Sequence, residues 1–235
     1  MNNVYQNYIN IVNEIGNVCE KTGRNPNDIK VIAVSKTQKI DTLINAINSG
    51  VPIFGENYAQ EFRDKYKQLI NSNVELNKCE FHFIGHLQTN KVKYIVPNVS
   101  VIHTIDSIGI ANEINKYAEK INKTIKILIQ INTSQETNKS GIPPEQCTPF
   151  TKQLLQLNNL NLIGLMTIGT FSNNENISRK EFSTLAECLK DTNKANGINL
   201  KELSMGMSDD FGIAIEEGTT MIRIGTAIFG KRDVL

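Results

Sequence analysis

The sequence predicts an α/β protein, a single TIM-like (β/α)8 barrel with an extra N-terminal helix, residues 1–235 forming one domain. Short β-branched runs alternate with helical patterns along the chain, which implies right-handed βαβ units and a parallel sheet. Eight such runs can be read, and eight strands in about 200 residues sit at the short end of the barrel range. No Pro/Gly/Ser-rich linker interrupts the rhythm. An open doubly wound sheet is the alternative arrangement.

The first helix spans Val4 to about Lys21, because Ile9, Val12, Ile15 and Cys19 recur at helical spacing before Thr22-Gly23 and Asn25-Pro26 stop it. The strand runs are KVIAVSK (30–36), VPIFGEN (51–57), FHFIG (81–85), SVIHTID (100–106) and IKILIQIN (125–132). LIGLMTIG (162–169), LKELSMGM (200–207) and TMIRIGTAIFG (220–230) complete the set. Between them lie helical stretches such as DTLINAINSG, AQEFRDKYKQLI, IANEINKYAEKI, QCTPFTKQLLQL and KEFSTLAECLKD. Two polar segments, 132–146 and 170–180, read as loops after the fifth and sixth strands. Both would sit on the face where barrels build their sites.

Composition narrows the function classes. The chain has 235 residues, 40% hydrophobic and 21% charged, with net charge +1. That is too apolar for disorder and lacks the basic footprint of a nucleic-acid binder. Four scattered cysteines without a CxxC pair suggest a reducing compartment. The polar start MNNVYQNYINIVNEIG lacks the basic and long apolar regions of a secretory leader, and no run approaches membrane-spanning length. A cytoplasmic protein is the expectation.

Strand ends supply the candidate chemistry. Ile32, Val34 and Lys36 share one strand face, so a lysine ends an apolar row pointing into the barrel. The ordinary reading is a solvated strand-end lysine. The chemical one is an amine with a desolvation-lowered pKa, able to form a Schiff base with an aldehyde. Arg223 lies on the last strand among apolar neighbours and needs acceptors, either a core carboxylate such as Glu56 or Asp106, or a ligand. Gly225 and Thr226 follow it, and Ser204, Met205, Gly206, Met207 and Ser208 end the seventh strand. Small and hydroxylic residues after strands seven and eight suit a phosphate, with a helix start at Ser208-Asp209 orienting the loop.

Other motifs fail. GMSDD (206–210) is not a nucleophile elbow, since Asp210 replaces the second glycine. His82 and His86 lie in a strand running into a turn, so helical zinc geometry does not apply and no metal is expected. No phosphate-binding GxxxxGK[ST] occurs. His103 reads as a packed, hydrogen-bonded strand residue, and Lys139, Lys231 and Arg232 read as solvated cations able to attract anions.

The strings VIAVSKT, FGENYAQEF, FHFIGHLQTNK, IHTID, INTSQETNKSGI, GLMTIG and SMGMSDDFGIAIEEGTTMIRIGTAIFG resemble the pyridoxal phosphate homeostasis protein family, also called alanine racemase N-terminal-domain-like proteins. The resemblance runs from the first strand to Arg232. It implies a fold-type III barrel with pyridoxal 5′-phosphate at its mouth. Lys36 matches the lysine that carries the cofactor as an internal aldimine, and Asn57 a residue near the ring. Ser204, Gly225 and Thr226 match the phosphate-binding positions, and Arg223 the arginine facing the pyridine nitrogen. His86 stands where some relatives carry proline.

An arginine there favours an unprotonated pyridine, a weaker electron sink. The resemblance therefore implies a non-catalytic carrier that buffers or delivers the cofactor, with pyridoxal phosphate-dependent apoenzymes as partners. The alternative is a weak racemase or lyase of the alanine racemase fold type. Racemases of this fold add a β-rich domain with a catalytic tyrosine from a partner subunit, whereas this chain ends five residues after its last strand run. A monomer is expected on that ground. Tyr58 stays open as a second acid/base, and Lys139 or Lys231 as a second surface cofactor site.

Overall fold

The structure, a computed structural model, describes residues 4–134, 136, 139–170 and 174–230. The strands are β1 (Lys30–Val34), β2 (Ile53–Glu56), β3 (Glu80–Phe83), β4 (Val101–Ile105), β5 (Ile125–Gln130), β6 (Leu160–Met166), β7 (Glu202–Ser204) and β8 (Met221–Ile224). They pair in parallel in sequence order, and β1 pairs with β8 from Lys30↔Met221 to Ala33↔Ile224, which closes the barrel. Closure removes the doubly wound alternative.

The helices are α1 (Val4–Thr22), α2 (Ile40–Asn48), α3 (Ala59–Ile70), α4 (Val92–Ile95), α5 (Ile108–Lys120), α6 (Cys147–Leu154), α7 (Glu175–Asn196), α8 (Phe211–Glu216) and α9 (Thr226–Phe229). Strand alternation sorts two cores. Ala33, Phe54, Ile102 and Ile129 face the helix ring in the larger one. Ile32, Val101, Leu128, Met166 and Met221 form a smaller cluster that fills the lumen. That plug makes the mouth a cup with a floor rather than a channel.

The N-terminal helix has a defined task. It packs against α8 and α9. Asn7 Nδ2 donates to the Ile228 carbonyl at 2.9 Å, and Arg24 Nη1, just past the helix, donates to the Ile215 carbonyl at 2.8 Å. No helix among the described residues is long and apolar enough to cross a membrane.

Several sequence boundaries need correction. Segment 170–180 is not all loop, because α7 begins at Glu175, where the Asn174 side chain accepts from the Asn176 N–H. A polar first turn carries no apolar period, so only its cap marks it. The run 220–230 is not all strand either. β8 stops at Ile224, and the N–H groups of Ile228 and Phe229 turn back to the Gly225 carbonyl. The helix expected at Ser208-Asp209 starts at Phe211 instead, with Asp210 Oδ1 accepting from the Met207 N–H at 2.6 Å. The chain leaves β7 through Gly206 at φ +94°, where a Cβ would stand 2.6 Å from the Ala214 Cβ.

Candidate functional site

Lys36 follows β1 on the lumen side, and both of its neighbours are fastened. Ser35 Oγ donates to Glu56 Oε1 at 2.7 Å, and Lys65 Nζ donates to the Ser35 carbonyl at 2.7 Å and to Glu56 Oε1 at 2.9 Å. The Thr37 N–H donates to Glu61 Oε1 at 2.6 Å, and that same oxygen pairs with Lys65 Nζ at 2.6 Å. Thr37 holds φ +64°, a left-handed conformation that a β-branched residue resists. The α3 side chains thus hold the peptide on either side of the amine. Burial raises the Glu56 pKa, against the pull of Lys65 and Ser35.

Lys36 opens on a mouth cavity of 360 Å³, within the range of small-ligand sites. Val34, Ile84 and Ile168 supply apolar wall; Asn57, Ser208, Arg223 and Thr226 supply polar groups. Gly225 also lines it, and a Cβ there would meet only Val34, at 3.7 Å, so its missing side chain leaves room in the cup rather than relieving a clash. Of the residues picked out from sequence, the structure brings Lys36, Asn57, Arg223, Gly225 and Thr226 to one cavity.

Ser204 is the exception. It is fully buried, and its hydroxyl lies 2.8 Å from Arg223 Nη1 and 3.0 Å from His103 Nδ1, beneath the cavity rather than on its wall. Ser208, one turn of chain later, holds the wall position, 3.5 Å from Thr226 Oγ1. Arg223 does not pair with Glu56 or Asp106. Its second nitrogen donates to the Thr167 carbonyl at 2.8 Å, Glu56 pairs with Lys65, and Asp106 stands 3.8 Å from exposed His86. Burial pulls the Arg223 pKa down to about 10, opposed by the charge of Asp210, which leaves it a cation at neutral pH.

A second lobe of 270 Å³ shares Asn57, Ile84 and Ile168 with the first and adds Gly85, Gln130 and Lys139. Lys139 is not simply solvated: it is half-buried and pairs with Glu136 at 2.8 Å. Lys231 and Arg232 lie outside the described residues. Tyr58 is 52% exposed, and the cavity lining does not include it. Gly85 is a close-approach position, since a Cβ would sit 2.0 Å from the Asn57 carbonyl oxygen. Gly85→Ala is expected to cost about 3 kcal/mol, the upper end for overpacking, read as a lower urea midpoint.

Sequence reasoning missed Lys65 and Glu61; it read His103 as a packed, hydrogen-bonded strand residue, as the structure has it, but not its pairing with His82. His82 Nδ1 and His103 Nε2 lie 3.0 Å apart inside the barrel. Burial lowers both pKa values, His103 well below the ordinary value, with the His82, Arg223 and Lys30 charges adding to it. A base neutral when folded and titrating normally when unfolded makes the unfolded chain bind more protons in acid. Stability is therefore fully present above the unfolded value of about 6.5 and falls below it, by at most about 1.4 kcal/mol per pH unit for each histidine. Melting temperatures between pH 7 and 5 check this, and a flat profile contradicts it. Among the described residues, no group of three His, Cys, Asp or Glu side chains could hold a metal.

Comparison with known proteins places this geometry. The family model described as alanine racemase, N-terminal domain, matches residues 13–233. The pyridoxal phosphate homeostasis protein of Aquifex aeolicus (strain VF5) is 40% identical over 222 residues, covering 94% of this chain and 95% of that protein. Among solved structures, an unknown protein from Bifidobacterium adolescentis matches with TM-score 0.87 at 33% identity, over 96% of this chain and 94% of its own. PipY of Synechococcus elongatus PCC7942, solved with PLP bound, matches with TM-score 0.79 at 29% identity, over 92% and 99%. The chain belongs to the pyridoxal phosphate homeostasis protein family, on the barrel of the alanine racemase N-terminal domain.

Proposed function

We propose that this chain binds pyridoxal 5′-phosphate through Lys36 and serves intracellular homeostasis of that cofactor, holding and releasing it without robust catalysis. One observation carries the reading: a lysine, a buried arginine and a glycine–hydroxyl cup converge on a single 360 Å³ cavity. The donor set fits the group. Val34, Ile84 and Ile168 offer apolar contact to a ring, and Ser208, Gly225 and Thr226 offer hydroxyls and close backbone approach to a phosphate. Pyridoxal phosphate supplies an aldehyde that condenses with an amine, releasing water.

The protein's own groups define the rest. The α3 clamp aims the Lys36 amine, and Asn57 borders the same space. Arg223 can only donate, so if it faced the pyridine nitrogen it would favour the unprotonated form and weaken any electron sink. That supports a carrier over a racemase or lyase. Holding the aldehyde on one protein amine keeps it from other amines, and release would deliver it to dependent apoenzymes. The four described thiols, none in a disulfide, agree with a reducing, cytoplasmic setting.

The test is a visible absorbance spectrum after incubation with pyridoxal phosphate, then borohydride reduction and peptide mapping. A yellow protein with one dominant adduct on Lys36 is expected; no colour, or adducts scattered over surface lysines, overturns the reading. Transfer to an apoenzyme without amino-acid turnover supports the carrier. Steady turnover supports the enzyme.

A further inference from the structure

A file of hydrogen-bonding groups runs through the barrel lumen from mouth to floor. Arg223 Nη1 donates to Ser204 Oγ at 2.8 Å, Ser204 Oγ lies 3.0 Å from His103 Nδ1, and His103 Nε2 lies 3.0 Å from His82 Nδ1. His82 Nε2 faces Glu80 Oε2 at 3.6 Å, and the Glu80 side chain is 56% exposed at the start of β3. Strand alternation produces the file, since Ser204, Arg223, His82 and His103 all point inward from adjacent or nearby strands.

The two ends dictate the direction of every proton between them. A guanidinium only donates, so Ser204 Oγ must accept from it. A carboxylate only accepts, so its charge favours the proton of His82 on Nε2. The close approach of His82, and secondarily Ser100 and Lys126, hold the Glu80 pKa down at about 2, so it is a carboxylate across the working range. A neutral His82 protonated on Nε2 offers Nδ1 as an acceptor, so His103 donates from Nε2. His103 Nδ1 is then an acceptor, and Ser204 donates to it. All the dipoles align, with their acceptor ends toward Arg223.

We propose that His82 and His103 are positioning residues: with Ser204 they form a one-way hydrogen-bond file through which the Glu80 carboxylate on the barrel floor orients the Ser204 hydroxyl and so holds the Arg223 guanidinium at the mouth. This assigns Ser204 to holding the arginine rather than to a phosphate. It rests on the proposed function in one respect, that Arg223 faces the bound cofactor.

The chain has three histidines, so nitrogen-15 spectra of the imidazoles in the cofactor-free protein test the file directly. His82 and His103 are expected as single neutral tautomers protonated on Nε2, while exposed His86 averages its tautomers. A proton on Nδ1 of either buried ring overturns the proposal. Glu80→Gln, a surface change, is expected to add a second tautomer population at His82, and an unchanged spectrum removes Glu80 from the file. In the loaded protein, His103→Phe should weaken pyridoxal phosphate binding roughly tenfold, the effect of one lost buried hydrogen bond, while borohydride still traps Lys36. Ser204→Ala, which adds no bulk, is measured beside it in case the phenylalanine disturbs folding. Unchanged affinity in both overturns the positioning role. If the wild-type protein takes up no pyridoxal phosphate, the proposed function fails and the tautomers alone decide the file.

Discussion

Lys65→Met is expected to destabilise the protein by about 3–5 kcal/mol, the usual cost of removing one partner of a buried ion pair. Lys65 and Glu56 are both buried, and Glu56 Oε2 already has no hydrogen-bond partner in the protein. Without the ammonium, Glu56 must stay charged in an apolar wall or take a proton. Its folded pKa, already raised by burial, would rise further above the unfolded value. A carboxylate raised in this way is harmless below the unfolded value and costs stability as pH climbs through the folded one. The deficit should therefore shrink when urea unfolding is repeated near pH 4.5 instead of 7. Glu56→Gln in the same background should recover part of it, because a neutral amide is cheaper to bury. An unchanged urea midpoint in the single variant would contradict the argument. The loss reaches the site as well: the Ser35 carbonyl keeps only the Gln38 N–H of its two donors and Glu61 loses its cation, so the backbone on both sides of Lys36 loosens. Borohydride-trapped adduct should form more slowly in the fraction that remains folded.

Lys36→Ala should reduce the borohydride adduct from near-stoichiometric to background and remove the visible colour. The replacement lies at a strand end with a half-buried side chain and leaves the Ser35 and Thr37 anchors in place, so folding should be nearly unaffected. Lys36→Arg is the informative companion, since it keeps the charge but cannot condense with an aldehyde. If both variants stay colourless yet melt like the wild type, the amine chemistry belongs to Lys36. If colour persists and the adduct maps to Lys139 in the adjoining lobe, the principal site is there instead.

Much of this was legible in the sequence, and alternation explains how much. Period-two runs gave eight strands, and the row Ile32, Val34, Lys36 put the amine on the lumen side as observed. The same rule, applied to Ile53, Gly55 and Asn57, turns Glu56 outward and would have excluded it as a partner of Arg223. The short helices α4 and α9 escaped, and α8 was placed three residues early, because four to six residues hold too little period to read. Ser204 was placed by its motif, but its neighbours depend on height within the barrel. In β3 and β4 His82 pairs with Val101, which sets His103 a step higher, level with what crosses from β7. That stagger is a property of the closed sheet, and no single strand encodes it.

The grip of α1 on α8 and α9 bears on the order in which the molecule assembles. The Asn7–Ile228 bond joins residues 221 positions apart, and the β1–β8 seam spans almost as much chain. Such contacts pay their loop-closure entropy before they return any stability, which makes closure a slow, late step. Gly225 and Thr226 sit at that seam, the first linking β8 to the helix that α1 clasps and the second opening that helix. The ligand cup is thus expected to mature late, so that a newly synthesised chain would become competent to bind only after this seam has closed.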